Sequence, residues 1–229
     1  SKKMISNLNN NMKGEKILYI FGLGGHAKVI LSEIIGSKIF DKIIFVESNS
    51  YNKDNIVINN ISYEVINSLD HLHKLYTDNS YGIIGIGSIL KRISIVKEIN
   101  IKIPNFKWTK IISDNSTIAK DVTIGYGTVV ISGSIINTGT KIGEHCIINT
   151  RATIDHDNEI RDFININPSV VTGGSVIIHD GSEIGIGSTV KNNILINKNV
   201  LIGGNSFVNK DCLPNSLYYG SPIKKIEPK

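Results

Sequence analysis

The chain has 229 residues, 41% hydrophobic, 20% charged and 7% aromatic. That balance can bury one large core or two small ones and excludes a disordered, collagenous or disulfide-scaffold chain. No run approaches the roughly 18 uncharged apolar residues of a membrane helix. Two cysteines make no disulfide framework and point to a reducing cytoplasm. The net charge of +5 is spread without a basic cluster and rests on only three arginines, which suits a small anionic ligand better than a nucleic-acid groove.

Residues 1–15 are rich in Asn and Lys, carry no apolar run, and read as a flexible leader with Met12 as a candidate start. From residue 16 to 104 the pattern predicts a small α/β domain. Lys16 to Phe21 is a buried strand, Gly22-Leu23-Gly24-Gly25 a tight turn, and His26 to Ile35 a helix stopped by Gly36. A second strand, Lys42 to Val46, ends at Glu47. Ser68 caps a helix through Leu75, Tyr81 to Ile86 is a further strand, and Ser88 caps a helix to about Ile99. Pro104 then breaks the chain.

The turn Gly22-x-Gly24-x-x-Ala27 follows a strand and opens a helix, with acidic Glu47 at the end of the next strand. Glycines let backbone approach a diphosphate, a helix N-terminus favours its charge, and a carboxylate can bind ribose hydroxyls. A full dinucleotide domain needs two such halves. Only one fits before the second half of the chain begins, so a nucleoside diphosphate is the better ligand. A glycine turn used only for packing remains the alternative.

Residues 105–229 are governed by a period of six. Stepping from Ile112 to Val208 gives seventeen positions, of which sixteen are Ile or Val and one is Thr172. The position four later is usually small or aliphatic, as at Ser134, Thr140, Cys146 and Ala152. A helix of 3.6 residues per turn would scatter these positions around its surface. Short strands joined at corners would point every one inward, and three hexads close a coil of 18 residues. The run then makes about 5.7 coils, stacked at roughly 4.8 Å. Cys146 and Cys212 both fall on inward positions, eleven hexads apart and on different faces, which predicts two free buried thiols.

An α/β half carrying Phe21-Gly22-Leu23-Gly24-Gly25-His26-Ala27-Lys28-Val29, followed by hexapeptide repeats, resembles the bacterial sugar acyltransferases of the PglD/NeuD type. The resemblance covers about residues 16–226. It is carried further by Ile154-Asp155-His156-Asp157, by Pro168 to Gly174, and by Tyr219-Gly220-Ser221-Pro222-Ile223-Lys224-Lys225. It implies an N-terminal half-Rossmann domain followed by a left-handed parallel β-helix, assembled as a cytoplasmic homotrimer with active sites between subunits. It also implies acetyl-CoA as co-substrate, no metal, and N-acetylation of a nucleotide-linked amino sugar for surface glycan synthesis. A UDP- or dTDP-linked 4-amino-4,6-dideoxyhexose is the first acceptor implied, with GDP-linked sugars open. The NeuD branch acetylates a sialic acid hydroxyl instead.

The residues give that implication a chemistry. Acyl transfer to an amine needs a base near neutral pH, a group that orients it, and a donor for the oxyanion. His156 has carboxylates on both sides, and Gly174 stands 18 residues on, one coil above it. His156 is expected to take the proton, Asp157 to orient the ring, and Gly174 N–H to polarise the thioester. Asp155 and Asn149 match family positions near the acceptor amine. Asn165 stands where family members often carry a histidine that contacts acetyl-CoA, with Gly173 and Gly174 on the same cofactor. Gly24, Gly25, His26, Glu47 and Gly87 are candidates for the sugar nucleotide, His26 alternatively serving only to start its helix. Lys224 and Lys225 resemble the tail that meets the CoA phosphates, or are a solvated charge pair. A zinc hydratase on the same repeat would need histidines sharing a face, and His145, His156 and His179 share none. A non-catalytic sugar-nucleotide scaffold is the remaining rival.

Overall fold

The structure, a computed structural model, describes residues 14–47 and 53–226. Residues 1–13, with the expected leader and Met12, lie outside the described residues. The chain divides into two compact units. One runs to Ile86 and resumes over Ile93–Thr109, and the other comprises Gly87–Arg92 and everything from Lys110 on.

The first unit is an α/β sheet. Strand β1 (Ile17–Phe21) is buried along its whole length because it pairs in parallel on both edges, with β2 (Lys42–Val46) and β5 (Ser80–Ile84). A strand covered on both faces reads as a continuous apolar run rather than an alternating one. Helix α1 (Gly25–Ile34) buries Ala27, Ile30, Leu31 and Ile34, the spacing of one helical face. Helix α2 (Leu69–Leu75) starts where Ser68 Oγ accepts the His71 N–H at 3.1 Å. Helix α3 (Ile89–Lys102) runs three residues past the expected end.

The sequence reading placed no strand between Glu47 and Ser68, and the structure corrects this. Strands β3 (Asn55–Ile58) and β4 (Ile61–Ile66) form an antiparallel hairpin, and β4 joins β2 in parallel. Its two-residue loop, Asn59-Asn60, has both φ angles positive, at 51° and 63°. Asparagine tolerates that region, and two such residues make the tight turn that matches strand twist. The sheet order is β3-β4-β2-β1-β5.

The second unit is a left-handed parallel β-helix. Two-residue strands β6 to β22 recur every six residues from Ile111–Ile112 to Phe207–Val208. They form three sheets in which each strand pairs in parallel with the one 18 residues on, as Ile136 with Ile154 and Ile154 with Thr172. The hexad side chains stack inward, and those from Ile136 to Val208 are 0–4% exposed. Ile118 and Ile124 are only partly buried, and Ile112 is exposed at 42%. Ile112 was expected inside, but its strand has a neighbour on one side only, so nothing below covers it. Cys146 and Cys212 are both free and buried, and burial raises each thiol pKa to about 12. At the far end β23 (Leu217–Tyr219) adds in parallel to β21 (Leu201–Ile202), and β24 (Lys224–Ile226) pairs antiparallel with β23.

Because Ile178 is fully buried between coils that cannot collapse independently, Ile178→Ala should destabilise the fold by about 2–5 kcal/mol, as cavity-forming truncations do. Chemical denaturation would show it as a lower urea midpoint.

Candidate active site

The corner that follows β13 (Thr153–Ile154) carries Asp155, His156 and Asp157. Asp157 turns the chain with φ +56°. Its side chain lies over Gly139 one coil earlier, where a Cβ would run into the carboxylate. The freed space lets Asp157 Oδ2 reach His156 Nδ1 at 2.8 Å. Asp155 turns the other way, its Oδ1 accepting Asn137 Nδ2 at 2.9 Å and the His156 backbone N–H at 2.8 Å. Those two bonds, the Asn137 one first, hold the Asp155 carboxyl below its usual pKa. The His156 pKa is raised, first by the hydrogen bond to Asp157 and then by the Asp155 charge. The imidazole side chain is 53% exposed.

One coil on, Thr172 points inward with the isoleucines, and its Oγ1 accepts the Asp155 N–H at 3.3 Å. Gly174 lies against the imidazole from the coil above, where a Cβ would sit 2.5 Å from His156 Nε2. Only a residue without a side chain fits there. With Nδ1 tied to Asp157, the free edge of the ring is Nε2, turned toward the Gly173-Gly174 backbone. A cleft of about 530 Å³ opens at this place, lined by Asp155, His156, Thr172, Gly173, Gly174 and, one coil further, Lys191 and Asn192.

The other expected residues lie elsewhere. Asn149 belongs to a different corner, where its Oδ1 accepts the Thr150 N–H at 2.8 Å. Lys224 and Lys225 are exposed on the edge strand β24. In the first unit, Gly24 and Gly25 are exposed at the start of α1 with open space around them, and His26 is half-buried. Glu47 shares a narrow cavity of about 30 Å³ with Gly22 and Glu98.

Asn165 and Gly87 meet in one hydrogen-bond network. Asn165, the expected acetyl-CoA contact, is 4% exposed within the single chain, and its side chain bonds to the chain itself. Its Oδ1 accepts Arg92 Nη2 at 2.7 Å, while Nδ2 donates to the Gly87 carbonyl at 2.9 Å and to Glu183 Oε2 at 3.3 Å. The Gly87 carbonyl, expected near the sugar nucleotide, also accepts Arg92 Nη1 at 2.8 Å. Arg92 is 1% exposed, and burial lowers its pKa to about 10, so it stays charged. A buried cation must be given acceptors, and this one takes Asn165, Gly87 and the His145 carbonyl.

Sequence reasoning missed Arg92, Asn137 and Asn158. Asn137 was within reach of the 18-residue arithmetic that places it under Asp155. Asn158 occupies an inward position that other hexads give to small or aliphatic side chains. Among the described residues no cluster of His, Cys, Asp and Glu could hold a metal, and no helix is long and apolar enough to cross a membrane.

Residues 17–99 match the family model described as the PglD N-terminal domain. The first unit is similar to the PglD N-terminal domain over those residues. A GDP-perosamine N-acetyltransferase from Escherichia coli O157:H7 is 25% identical over 131 residues, covering 51% of this chain and 59% of that protein. Among solved structures, PerB from Caulobacter crescentus in complex with CoA and GDP-perosamine superposes with a TM-score of 0.80 at 25% identity, over 92% of this chain and 97% of that one. The acetyltransferase domain of PglB from Neisseria gonorrhoeae FA1090 in complex with acetyl coenzyme A superposes with a TM-score of 0.83 at 24% identity, over 93% and 100%. The PglD-type unit followed by a left-handed β-helix is therefore a shared architecture.

In an NMR titration the His156 ring protons should report a pKa above the ordinary histidine value. Asp157→Asn removes the largest cause of the rise and should lower it.

Proposed function

We propose that the protein is an acetyl-CoA-dependent N-acetyltransferase acting on the amino group of a nucleotide-linked amino sugar. The observation that carries the reading is the arrangement at the β13 corner. An imidazole is held by a carboxylate through Nδ1 and turns Nε2 toward a glycine pair in an open cleft. A neutral His156 takes a proton from the attacking amine through Nε2, while Asp157 keeps the proton on Nδ1 and stabilises the imidazolium that forms. The Gly174 N–H donates to the oxygen of the thioester as it becomes an oxyanion. The CoA thiolate leaves and takes from His156 the proton that came from the amine. Asp155, held ionised, favours a cationic amine nearby.

Asn149, Lys224 and Lys225 lie away from this corner within one chain, and a homotrimer with active sites between subunits would bring such residues to it. The α/β unit, with Gly24, Gly25, His26 and Glu47, would take the nucleoside diphosphate. Relatives named for GDP-perosamine support a GDP-linked amino sugar as a candidate acceptor beside the UDP- and dTDP-linked ones. Surface-glycan synthesis in the cytoplasm is the setting that fits such a substrate.

A thiol-release assay with acetyl-CoA against UDP-, dTDP- and GDP-linked 4-amino sugars, with free sialic acid included, tests the reading. Turnover of one nucleotide amino sugar is expected. Turnover of sialic acid alone would make it an O-acetyltransferase, and silence throughout would leave a binding scaffold. His156→Ala should cut turnover at least about a hundredfold, as loss of a general base does, and full activity in that variant would sink the assignment.

The base must be neutral, so activity should fall as pH drops through the raised His156 pKa. In Asp157→Asn the acid limb of the kcat/KM profile should move to lower pH, with a lower plateau. An unmoved limb would separate Asp157 from the base.

A further inference from the structure

Asn158 stands four residues after Ile154, inside the coil, and is 1% exposed. Its Nδ2 donates to three carbonyls: Asp155 O at 2.8 Å, His156 O at 3.1 Å and, in the next coil, Gly173 O at 2.9 Å. Its Oδ1 is buried and has no hydrogen-bond partner among the described residues. All the bonding of this side chain therefore runs through its N–H groups, and all of it goes to the two turns that build the candidate site. The backbone N–H of Asn158 in turn donates to Thr140 Oγ1 at 3.3 Å, which fixes where the amide starts from.

The consequence follows from peptide geometry. In a planar trans peptide the carbonyl and the N–H point in opposite directions. The Gly173 carbonyl points inward, to Asn158, so the Gly174 N–H of the same peptide points outward, to the face covered by the His156 ring. Gly173-Gly174 carries no side chain that could set this orientation for itself, and glycine peptides rotate readily. We propose that Asn158 is a positioning residue for acyl transfer: by holding the Gly173 carbonyl inside the coil, it aims the Gly174 N–H at the thioester oxygen. The same amide fixes the carbonyls of Asp155 and His156, so base and oxyanion donor are held from one buried point. This deepens the acetyltransferase reading and rests on it.

Three variants test it. Asn158→Ala removes the donor. Asn158→Asp keeps the shape and sets an oxygen against three carbonyl oxygens. Asn158→Ser keeps one donor. Expected for Ala and Asp is a fall in kcat of at least about tenfold, toward the roughly 10²–10³ that follows loss of an oxyanion donor. The KM for acetyl-CoA should stay within about twofold, since only the transition state is affected. Ser should recover part of the loss. A loss of kcat that vanishes once rates are corrected for folded fraction, by thermal midpoint and active-site titration, would make Asn158 merely structural and overturn the proposal.

A readout independent of turnover separates this from the function itself. In protein labelled with ¹⁵N-glycine, the Gly174 amide resonance should shift in the Ala or Ser variant while Gly203 and Gly204 do not. An unmoved Gly174 resonance overturns the proposal even if the parent is fully active. A parent that turns over no acetyl-CoA, with Gly174 moved, would instead count against the acetyltransferase reading.

Discussion

The second unit depends on one backbone ladder. The strands pass their N–H groups to the coil above, as Ile135 N–H to Ala152 O, Thr153 N–H to Val170 O and Gly173 N–H to Val190 O, while corner residues donate to the coil below, as Asp157 N–H to Thr138 O and Ser175 N–H to His156 O. This repeat of contacts at a fixed spacing makes every column of the β-helix a set of residues 18 apart. Once the ladder is set, what can occupy a column is decided by what lies above and below. Asp157 needs a glycine beneath it, and His156 needs a glycine above. Asn137, beneath Asp155, is the donor that keeps that carboxylate ionised.

The inward hexad positions are Ile or Val except Thr172, and those four residues later are small or aliphatic except Asn158, which makes these two polar members informative. Thr172 replaces an isoleucine and spends its hydroxyl on the Asp155 N–H. Asn158 replaces a small residue and spends its amide on three carbonyls around the same turn. A buried polar group without partners is costly, so a polar side chain in such a core is retained where it holds something. Both of these hold the backbone of the corner where His156 stands. Arg92 does the same elsewhere in the unit, taking Gly87, His145 and Asn165 as its acceptors.

The electrostatics of the corner divide labour between the two carboxylates that flank His156 in sequence. Asp155 is tied by Asn137 and a backbone N–H, and so acts as a fixed negative charge. Asp157 faces the imidazole, raising its pKa and fixing the nitrogen that carries the proton. The strand between hexads is only two residues long, and an Asp-His-Asp corner is the shortest arrangement that puts one carboxylate on each side of the ring.

Much of this was legible before any coordinates. Period six cannot be satisfied by a helix and can be by stacked corners, so the β-helix, its inward isoleucines, the two isolated thiols and the pairing of His156 with Gly174 all follow from residue spacing. The β3–β4 hairpin was not legible, because its Asn-Asn turn carries no glycine and its strands are short and half-exposed. Nor was the burial of Asn165, since the arginine that claims it lies 73 residues away and no periodicity links the two. Spacing determines which residues share a column, because the ladder repeats. Only the tertiary structure decides which way a peptide plane faces and which buried donor holds it, because those depend on groups brought together from outside the repeat or turned inward within it.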